Sequence, residues 1–535
     1  MFLITGIINR ISALIFWFFQ FWVFNFGWLY VLYINLPIGY LHRLINIRIN
    51  WLKLKLNFGK ISHGRKVAAV QRQINKWHKL NESKPNRQRQ KLCTTGFDNC
   101  QQLCFTRPEY KKGMYKINLD NLCNIVEINT TSKYICVEPK VSIDQIQRAL
   151  LPLGYTLPVV PEIGDLQIGG LVLGAGISSS SAKNGLFQHN CLAYEIVTTS
   201  GELIVANNDK EGAHQSLFFG IPWSLGSLGF LVSITIKIRE CSPYIRLNYQ
   251  PCFSVKELNG RIEELKKNEN EFVEAIQFDQ ECSVLICGTF IDKIPKNDRN
   301  FKNNIGKWYK PFFYSHVKEI LERGGLKTEY IPSEQYFSRH WPSLFWEIHS
   351  IFPSLLLALF PFRWLIRLFL PISLPFPKTS RVRQLYSKQH ILQNIMVPLS
   401  NLQETLKIVD NKINIYPLWI CPFSLPQNLG LLRTQHGLKL IYVNIGIYGQ
   451  PKLTQKIINE EEKEQITISE KIKTLEEHLR NVQGFQMLCS DTQQNAAEFW
   501  EMFDATLYDW LRAKYDCKAA FPSVFDKIYS ENRTN

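Results

Sequence analysis

Glycines are concentrated in two runs where the backbone could close around an anionic ligand. The first run, IGGLVLGAGISSSS at residues 168–181, contains Gly169, Gly170, Gly174 and Gly176. Glycine tolerates positive φ and lets backbone N–H groups approach an anion that a side chain would exclude. The second run, PWSLGSLGFLV at residues 222–232, leads into an apolar strand. We interpret this pattern as a diphosphate cradle.

The spacing of the first run differs from the common dinucleotide-binding turn. In a G-x-G-x-x-G turn the glycines open a helix, whereas here apolar residues fill the gaps and a run of serines follows. A Rossmann domain is therefore a poor fit. The sequence also contains no P-loop, no internal repeat and no cluster of residues at metal-ligand spacing, so we expect no metal site.

The composition is that of a globular protein with an added apolar segment. The 535 residues are enough for two domains, and 45% of them are hydrophobic. The 13 cysteines are scattered without a C-x-x-C pair. This usage favours a reduced, cytosolic catalytic region over a disulfide-stabilised one.

The elements that must position the glycines are predicted to be short strands and helices. Alternating apolar and polar residues predict strands at 91–96, 115–119, 125–129 and 134–137, followed by a capped helix at 142–151. In the C-terminal half we predict helices at 253–267 and 402–413, and strands across 272–291. Residues 451–482 are rich in charge and are interpreted as a helical, solvated insertion. The sequence therefore predicts an α+β fold.

The N-terminus has the character of a membrane anchor. Residues 11–34 are almost wholly apolar and long enough to span a bilayer. A cleaved signal peptide is the alternative, but its apolar core would be shorter. Seven basic residues follow between positions 43 and 66, against Arg10 alone before the segment, so the positive-inside rule places the C-terminal portion in the cytoplasm.

Two further segments bear on membrane contact. Much of the +16 formal charge lies in residues 42–91, which we expect to contact anionic lipid headgroups rather than nucleic acid. Within this strip, residues 67–80 are predicted to form an amphipathic helix, or equally a plain packing helix. Residues 351–376 are apolar but interrupted by prolines and arginines, which favours an interfacial segment or a core segment over a spanning helix.

Several motifs resemble the flavin domain of the vanillyl-alcohol-oxidase superfamily. These are Glu138-Pro139, GYTLPVVPE at 154–162, the Gly169/Gly170 pair, KNGLFQH at 183–189 and GSLGF at 226–230. Within the superfamily the chain is most similar to the sterol side-chain reductases, because the resemblance continues through the C-terminal half. The motifs there are WYKP at 308–311, FWE at 345–347, YPLWICPF at 416–423, GFQML at 484–488 and EFWEMFD at 498–504.

The resemblance implies noncovalent FAD. The loop corresponding to the first diphosphate loop of the superfamily, CTTGF at 93–97, has no histidine that could be joined to flavin. The residues implied to contact FAD are Thr95, Gly96, Pro161, Glu162, Ile168, Gly169, Gly170, Gly174, Gly176, Ser179, Gly226, Gly229 and Val232. The implied organisation is an anchor at 1–56, a PCMH-type flavin domain of two subdomains at 57–240 and a substrate (cap) domain at 241–535.

The resemblance also implies a reaction. NADPH would reduce FAD, and the reduced flavin would saturate the carbon 24 double bond of a sterol. No carbonyl is conjugated with that alkene, so protonation must precede or accompany hydride addition, and the site needs an acid with little water nearby. Because substrate domains of the superfamily present such groups to the flavin, His340 is the first candidate acid, followed by Glu347 and Tyr442. Lys183 and His189 are candidate contacts for the NADPH phosphate.

Two other functions remain open. An oxidase of the same superfamily would use oxygen on an alcohol or sugar, and a noncatalytic sterol-binding protein would contain no flavin. For a eukaryotic source we expect a single-pass protein of the endoplasmic reticulum membrane, and for a bacterial source the inner membrane.

Overall fold

The computed structural model describes residues 62–529 apart from 83, 86–87, 96–107, 265–269, 326, 348–389, 433–440, 452–454, 458–462 and 466–467. The predicted span at 11–34 and the apolar segment at 351–376 lie outside the described residues. Within the described ranges, every helix is too short or too polar to cross a membrane.

The described part of the N-terminal half contains nine strands, five of which form one antiparallel sheet. Its strands are β1 (Leu92–Thr94), β2 (Tyr115–Ile117), β3 (Ile125–Asn129), β4 (Tyr134–Val137), β5 (Tyr155–Thr156), β6 (Cys191–Val197), β7 (Leu203–Asn207), β8 (Phe230–Lys237) and β9 (Arg239–Glu240). The sheet has the order β3-β4-β8-β6-β7, while β1 pairs with β2 and β5 with β9. The helices are α1 (His63–Asn81), α2 (Ile143–Leu150), α3 (Ile168–Leu173), α4 (Ser181–Asn184) and α5 (Gln215–Gly220).

Local sequence signals account for the first two helices. On α1, Val67, Val70, Ile74 and Trp77 recur at helical spacing, and all four are buried. This confirms the predicted helix and shows that it packs within the N-terminal half. On α2, Ser142 accepts a hydrogen bond from the backbone of the third helical residue in a capping box, which confirms the predicted helix start.

The C-terminal half is built on one eight-stranded antiparallel sheet. Its elements are β10 (Tyr244–Cys252), α6 (Val255–Glu264), β11 (Phe272–Gln277), β12 (Ser283–Ile291), α7 (Phe313–Arg323), β13 (Lys327–Pro332), α8 (Ser333–Phe337), β14 (Ile391–Pro398), α9 (Leu402–Ile408), β15 (Leu418–Ser424), β16 (Ile441–Gly449), β17 (Gln455–Ile457), β18 (Lys463–Gln465), α10 (Ile468–Asn481), β19 (Phe485–Gln486) and α11 (Ala496–Glu501). The large sheet has the order β13-β10-β12-β11-β15-β16-β14-β19, and β17 pairs with β18. These strands and helices confirm the predicted α+β fold.

The charged segment at 451–482 is not a wholly solvated insertion. It contains the β17–β18 hairpin and then α10, on which Leu475 and Leu479 are buried. The buried carboxylate of Glu476 accepts a hydrogen bond of 2.8 Å from the hydroxyl of Thr492. The predicted helix is present, but its predicted full exposure to solvent was wrong, because a few apolar residues at helical spacing are enough to bury one face.

The end of the chain returns to the N-terminal half. Three short helices, α12 (Thr506–Lys514), α13 (Cys517–Ala520) and α14 (Val524–Ile528), follow α11. The guanidinium of Arg512 donates to the carbonyl oxygen of Ser227 at 3.2 Å, and the hydroxyl groups of Tyr508 and Ser227 lie 2.7 Å apart. The range predicted for the cap domain, 241–535, therefore includes a segment that packs on the flavin-domain side.

Candidate functional site

The predicted flavin-binding glycines divide into those that pack against protein and those that face open space. A Cβ at Gly169 would lie 2.8 Å from Pro139, one at Gly176 would lie 2.5 Å from Phe187, and one at Gly229 would lie 2.9 Å from the Val197 carbonyl oxygen. At Gly170 a Cβ would meet no described atom within 4 Å. Close packing explains three of the glycines, whereas Gly170 leaves room for a ligand.

The second glycine run forms a strained turn. Trp223, Leu225 and Gly226 have φ of 65°, 49° and 71°, a region that residues with side chains rarely occupy. The Leu225 N–H donates to the Leu173 carbonyl oxygen at 2.9 Å, which joins this turn to the end of α3. The two segments predicted to bind the cofactor are thus adjacent in the fold.

Buried polar atoms at these segments fit the presence of a bound cofactor. The hydroxyl of Thr95, the hydroxyl of Ser224 and the indole N–H of Trp223 are buried without a hydrogen-bond partner among the described residues. An unsatisfied buried polar group costs about 1–3 kcal/mol, so a ligand that supplies the missing partners is expected. FAD, whose diphosphate and ring system offer many acceptors, fits this set of donors.

The other predicted contacts occupy mixed positions. Pro161, Ile168 and Val232 are buried, Gly174 caps α3 by donating to the Gly170 carbonyl oxygen, and Gly96 lies outside the described residues. Glu162 accepts hydrogen bonds from the Ser179 N–H at 3.0 Å and from Arg339 at 3.2 Å. Burial raises the pKa of Glu162 to about 7. In the described contacts, Glu162 joins the two halves.

His340 belongs to a fully buried charge network. The carboxylate of Glu274 is 3.0 Å from His340 Nε2, 2.7 Å from Arg339 Nε and 2.9 Å from the indole nitrogen of Trp419. Burial lowers the pKa of His340, and Glu274 only partly opposes this. Burial also disfavours ionised Glu274, but Arg339 and His340 outweigh it and hold the pKa of Glu274 well below its usual range. Neutral His340 therefore carries its proton on Nε2, where Glu274 accepts it.

Glu347 and Tyr442, the other two candidate acids, lie at opposite ends of one strand pair. Glu347 pairs with His390, which directly precedes β14, at 2.7 Å. Tyr442 lies opposite Pro398 at the other end of β14. Positions 390 and 398 are eight residues apart, or roughly 26 Å in an extended strand. The two groups cannot both contact one alkene.

Tyr442 is the candidate acid whose hydroxyl has no hydrogen-bond partner among the described residues. Its ring packs against Phe423 and Phe485, with centroids 5.7 and 5.6 Å away. Phe485 in turn contacts Trp223 of the strained turn, so Tyr442 approaches the predicted flavin segment. No hydrogen bond joins its hydroxyl to any described residue, and burial raises the pKa of this hydroxyl.

Asn444 was not singled out from the sequence, and the structure places it on the sheet face that carries Tyr442. It lies opposite Cys421, and the register puts both on the face that carries Trp419 and Tyr442. Cys421 Sγ lies 3.2 Å from the Ser178 carbonyl oxygen, so this face meets the first glycine-rich segment. Asn444 is fully buried, and neither atom of its amide has a partner in the described part of the chain. Its only sequence signal is a single amide in an apolar strand.

The two candidates for an NADPH phosphate contact have structural partners. His189 Nδ1 accepts from the Leu186 N–H at 2.9 Å, and its Nε2 lies 3.2 Å from the Gln427 carbonyl oxygen. Burial lowers the pKa of His189 to about 4, so the ring is neutral at physiological pH. Lys183 forms a salt bridge with Glu271. Neither residue is therefore free to act as a phosphate-binding cation in this arrangement.

Comparison with known proteins relates both halves of the chain to one group of enzymes. The family described as "FAD binding domain" matches residues 105–207. A Delta(24)-sterol reductase homolog of Caenorhabditis elegans is 35% identical, over 96% of this chain and 96% of the relative. The Delta(24)-sterol reductase of Homo sapiens is 34% identical over 94% and 93%, and that of Arabidopsis thaliana is 32% identical over 80% and 79% of the respective chains.

Proposed function

This chain belongs to the Delta(24)-sterol reductase family, and we propose that it uses FAD and NADPH to saturate the carbon 24 double bond of a sterol side chain. The observation that carries the proposal is similarity through both halves of the chain, including the sheet whose inner face meets the flavin segments. Inclusion of the C-terminal half favours the reductase over an oxidase that shares only the flavin domain.

The inner face of the large sheet supports this chemistry by excluding water. Trp419, Phe423 and Tyr448 are buried on the face that carries Tyr442 and Asn444. When bound, FAD would supply the hydride, and NADPH would return the flavin to its reduced form. An apolar wall with few polar groups suits a sterol side chain and leaves a positive charge developing at carbon 25 accessible to hydride rather than to water.

Among the three candidate acids, we rank Tyr442 ahead of His340 and Glu347. Its hydroxyl keeps its proton at neutral pH, and its ring contacts Phe485, which in turn contacts Trp223 of the strained turn. The proton of His340 is held by Glu274, which suits a residue that fixes the position of the network rather than one that donates to substrate. Glu347 is engaged with His390 at the far end of β14.

Membrane attachment is part of the same proposal. Residues 11–34 would anchor the chain, with the described part on the cytoplasmic side of the endoplasmic reticulum membrane, or of the inner membrane in a bacterium. Residues 351–376 would contact the bilayer surface and let the sterol pass between lipid and site. The support is the apolar sequence of both segments and the basic strip after the first.

Anaerobic flavin reoxidation tests the proposal directly. The full chain is purified in detergent, reduced with NADPH and mixed with desmosterol or with a 24-methylene sterol. Reoxidation that depends on sterol and yields the saturated product is expected. Reduced flavin that is unchanged by sterol and is reoxidised only when air is admitted would indicate the oxidase, and a preparation without flavin would indicate the sterol-binding role.

A further inference from the structure

Two buried lysines, far apart in sequence, point at the predicted cofactor segments. Lys111 donates from Nζ to the carbonyl oxygen of Thr94 at 3.2 Å and to its hydroxyl at 3.1 Å, directly before Thr95. Lys527, on α14, donates from Nζ to the Leu225 carbonyl oxygen in the strained turn at 2.9 Å. Their exposed fractions are 4% and 7%. One lysine thus contacts the first loop and the other contacts the second glycine run.

The two ammonium groups share one electrostatic environment. Burial lowers the pKa of Lys111 to about 8, with the neighbouring Cys93 among the other influences. Burial, then Arg512, then Lys111 lower the pKa of Lys527 to about 7. Both lysines also lower the pKa of Cys93, the middle residue of β1, against the larger effect of burial. The two lysine side chains therefore end in one buried region between the first loop and the second glycine run.

We propose that Lys111 and Lys527 hold the diphosphate of FAD. The diphosphate carries two negative charges, and lysine binds phosphate as a compact point charge. The hydroxyl of Thr95, buried without a partner in the described residues, adds a donor at the same loop. Lys527 lies far beyond residues 105–207, the part that matches the FAD binding domain, so the last described helix completes the cofactor site.

The alternative is that Lys527 only fastens α14 to the strained turn. A fastening residue would stabilise the protein with and without FAD, and its removal would weaken every flavin ligand to a similar extent. A diphosphate anchor acts on FAD and leaves riboflavin, which has no phosphate, unaffected. Riboflavin and FAD therefore separate the two roles.

The test compares flavin binding in full-length variants purified in detergent. After removal of flavin, FAD and riboflavin are titrated by fluorescence into wild type, Lys111→Met, Lys527→Met and Lys527→Arg. Lys518→Met, on the neighbouring α13 and exposed, is the matched control. We expect FAD affinity to fall about 10- to 100-fold in both Met variants, with riboflavin affinity unchanged. Lys527→Arg and Lys518→Met should bind FAD within a few-fold of wild type.

The inference rests on the proposed flavin enzyme, and the titrations distinguish the failure of each. Wild type that binds FAD, with unchanged FAD affinity in both Met variants, would overturn the anchor alone. Equal losses of FAD and riboflavin affinity would overturn it in favour of the fastening role. Wild type that binds neither flavin would overturn the flavin enzyme and the anchor together.

Discussion

The protein contains two buried groups of charged and polar side chains that differ in the groups they contact. In the first, Arg339 and His340 lie against the carboxylates of Glu274 and Glu162 at the junction of the two halves. In the second, the cations Lys111, Lys527 and Arg512 donate to backbone carbonyl oxygens near the cofactor loops. The first group contacts carboxylates, whereas the second contacts the backbone of the segments predicted to bind the cofactor.

We interpret the first group as part of the scaffold and the second as part of the cofactor-binding site. A paired buried charge is costly to break, because its partner is left uncompensated in a medium of low dielectric constant. A buried cation that binds an anionic ligand lowers the stability of the ligand-free protein, and binding of the ligand offsets this loss. The same substitution, removal of a buried charge, should therefore have opposite effects on stability in the two groups.

The largest effect is expected for Glu274→Gln. This change leaves Arg339 and His340 without their carboxylate, and we expect a loss of about 3–5 kcal/mol in the free energy of unfolding. Thermal unfolding in detergent measures it. Glu334→Gln, on the exposed side of α8, is the control and should leave the unfolding temperature unchanged. Equal unfolding temperatures for the two variants would show that the paired network is not a scaffold.

Next in size is the effect of Tyr442→Phe on the chemical step. Loss of a proton donor should slow sterol-dependent flavin reoxidation about 100-fold or more, with flavin content and unfolding temperature near wild type. For His340→Ala, which disturbs the paired network, we expect a lower unfolding temperature together with slower reoxidation. A normal rate in Tyr442→Phe would remove Tyr442 as the acid and return His340 to first place.

A smaller effect of opposite sign is expected for Lys527→Met. Without FAD, replacing this buried cation by an apolar side chain should raise the free energy of unfolding by about 1 kcal/mol. Thermal unfolding of the flavin-free protein measures it, with Lys518→Met as the control. A lower unfolding temperature would instead identify Lys527 as a structural residue and make the two charge groups alike.

The last expected effect is a pH dependence to which the lysine group contributes. The folded-state pKa values of Lys111 and Lys527, about 8 and about 7, lie below the ordinary lysine value, so the unfolded chain binds more protons above pH 7. These two lysines should therefore contribute a rise in the stability of flavin-free protein from pH 7 to pH 9, against a fall contributed by His63, whose pKa Glu138 and Glu195 raise to about 9. FAD affinity should fall over the same range. The rise should be smaller in Lys527→Met than in Lys518→Met. Parallel curves for the two variants would contradict this assignment.

Local signals in the sequence predicted many of the elements. The Ser142 capping box and the apolar positions of α1 are patterns within a few residues of one another, so they can be recognised without knowledge of tertiary contacts. The strands at 125–129 and 134–137 were predicted with their exact bounds from alternation. The helical character of α10 was also predicted, but its burial was not, since burial of Leu475 and Leu479 depends on what packs beside them.

The site could be predicted only in outline. The glycine runs indicated where a cofactor would bind, but sequence could not separate Gly170, which faces open space, from Gly169, which packs against Pro139. It indicated three candidate acids but did not show that Glu347 and Tyr442 lie at opposite ends of β14. Asn444 carried too weak a signal to be found, because an amide in an apolar strand is distinctive only when nothing in the fold pairs with it.

By itself, the sequence determined the fold class, the presence of an FAD-binding domain and the relation to sterol reductases, because glycine spacing, periodicity and motifs are written along the chain. Only the tertiary structure brought Lys111 to the first loop and Lys527 to the second glycine run, and paired Arg339 with Glu162 and Glu274. These partners are up to several hundred residues apart. What a buried charge contacts depends on which distant segments meet, and no local pattern contains that information.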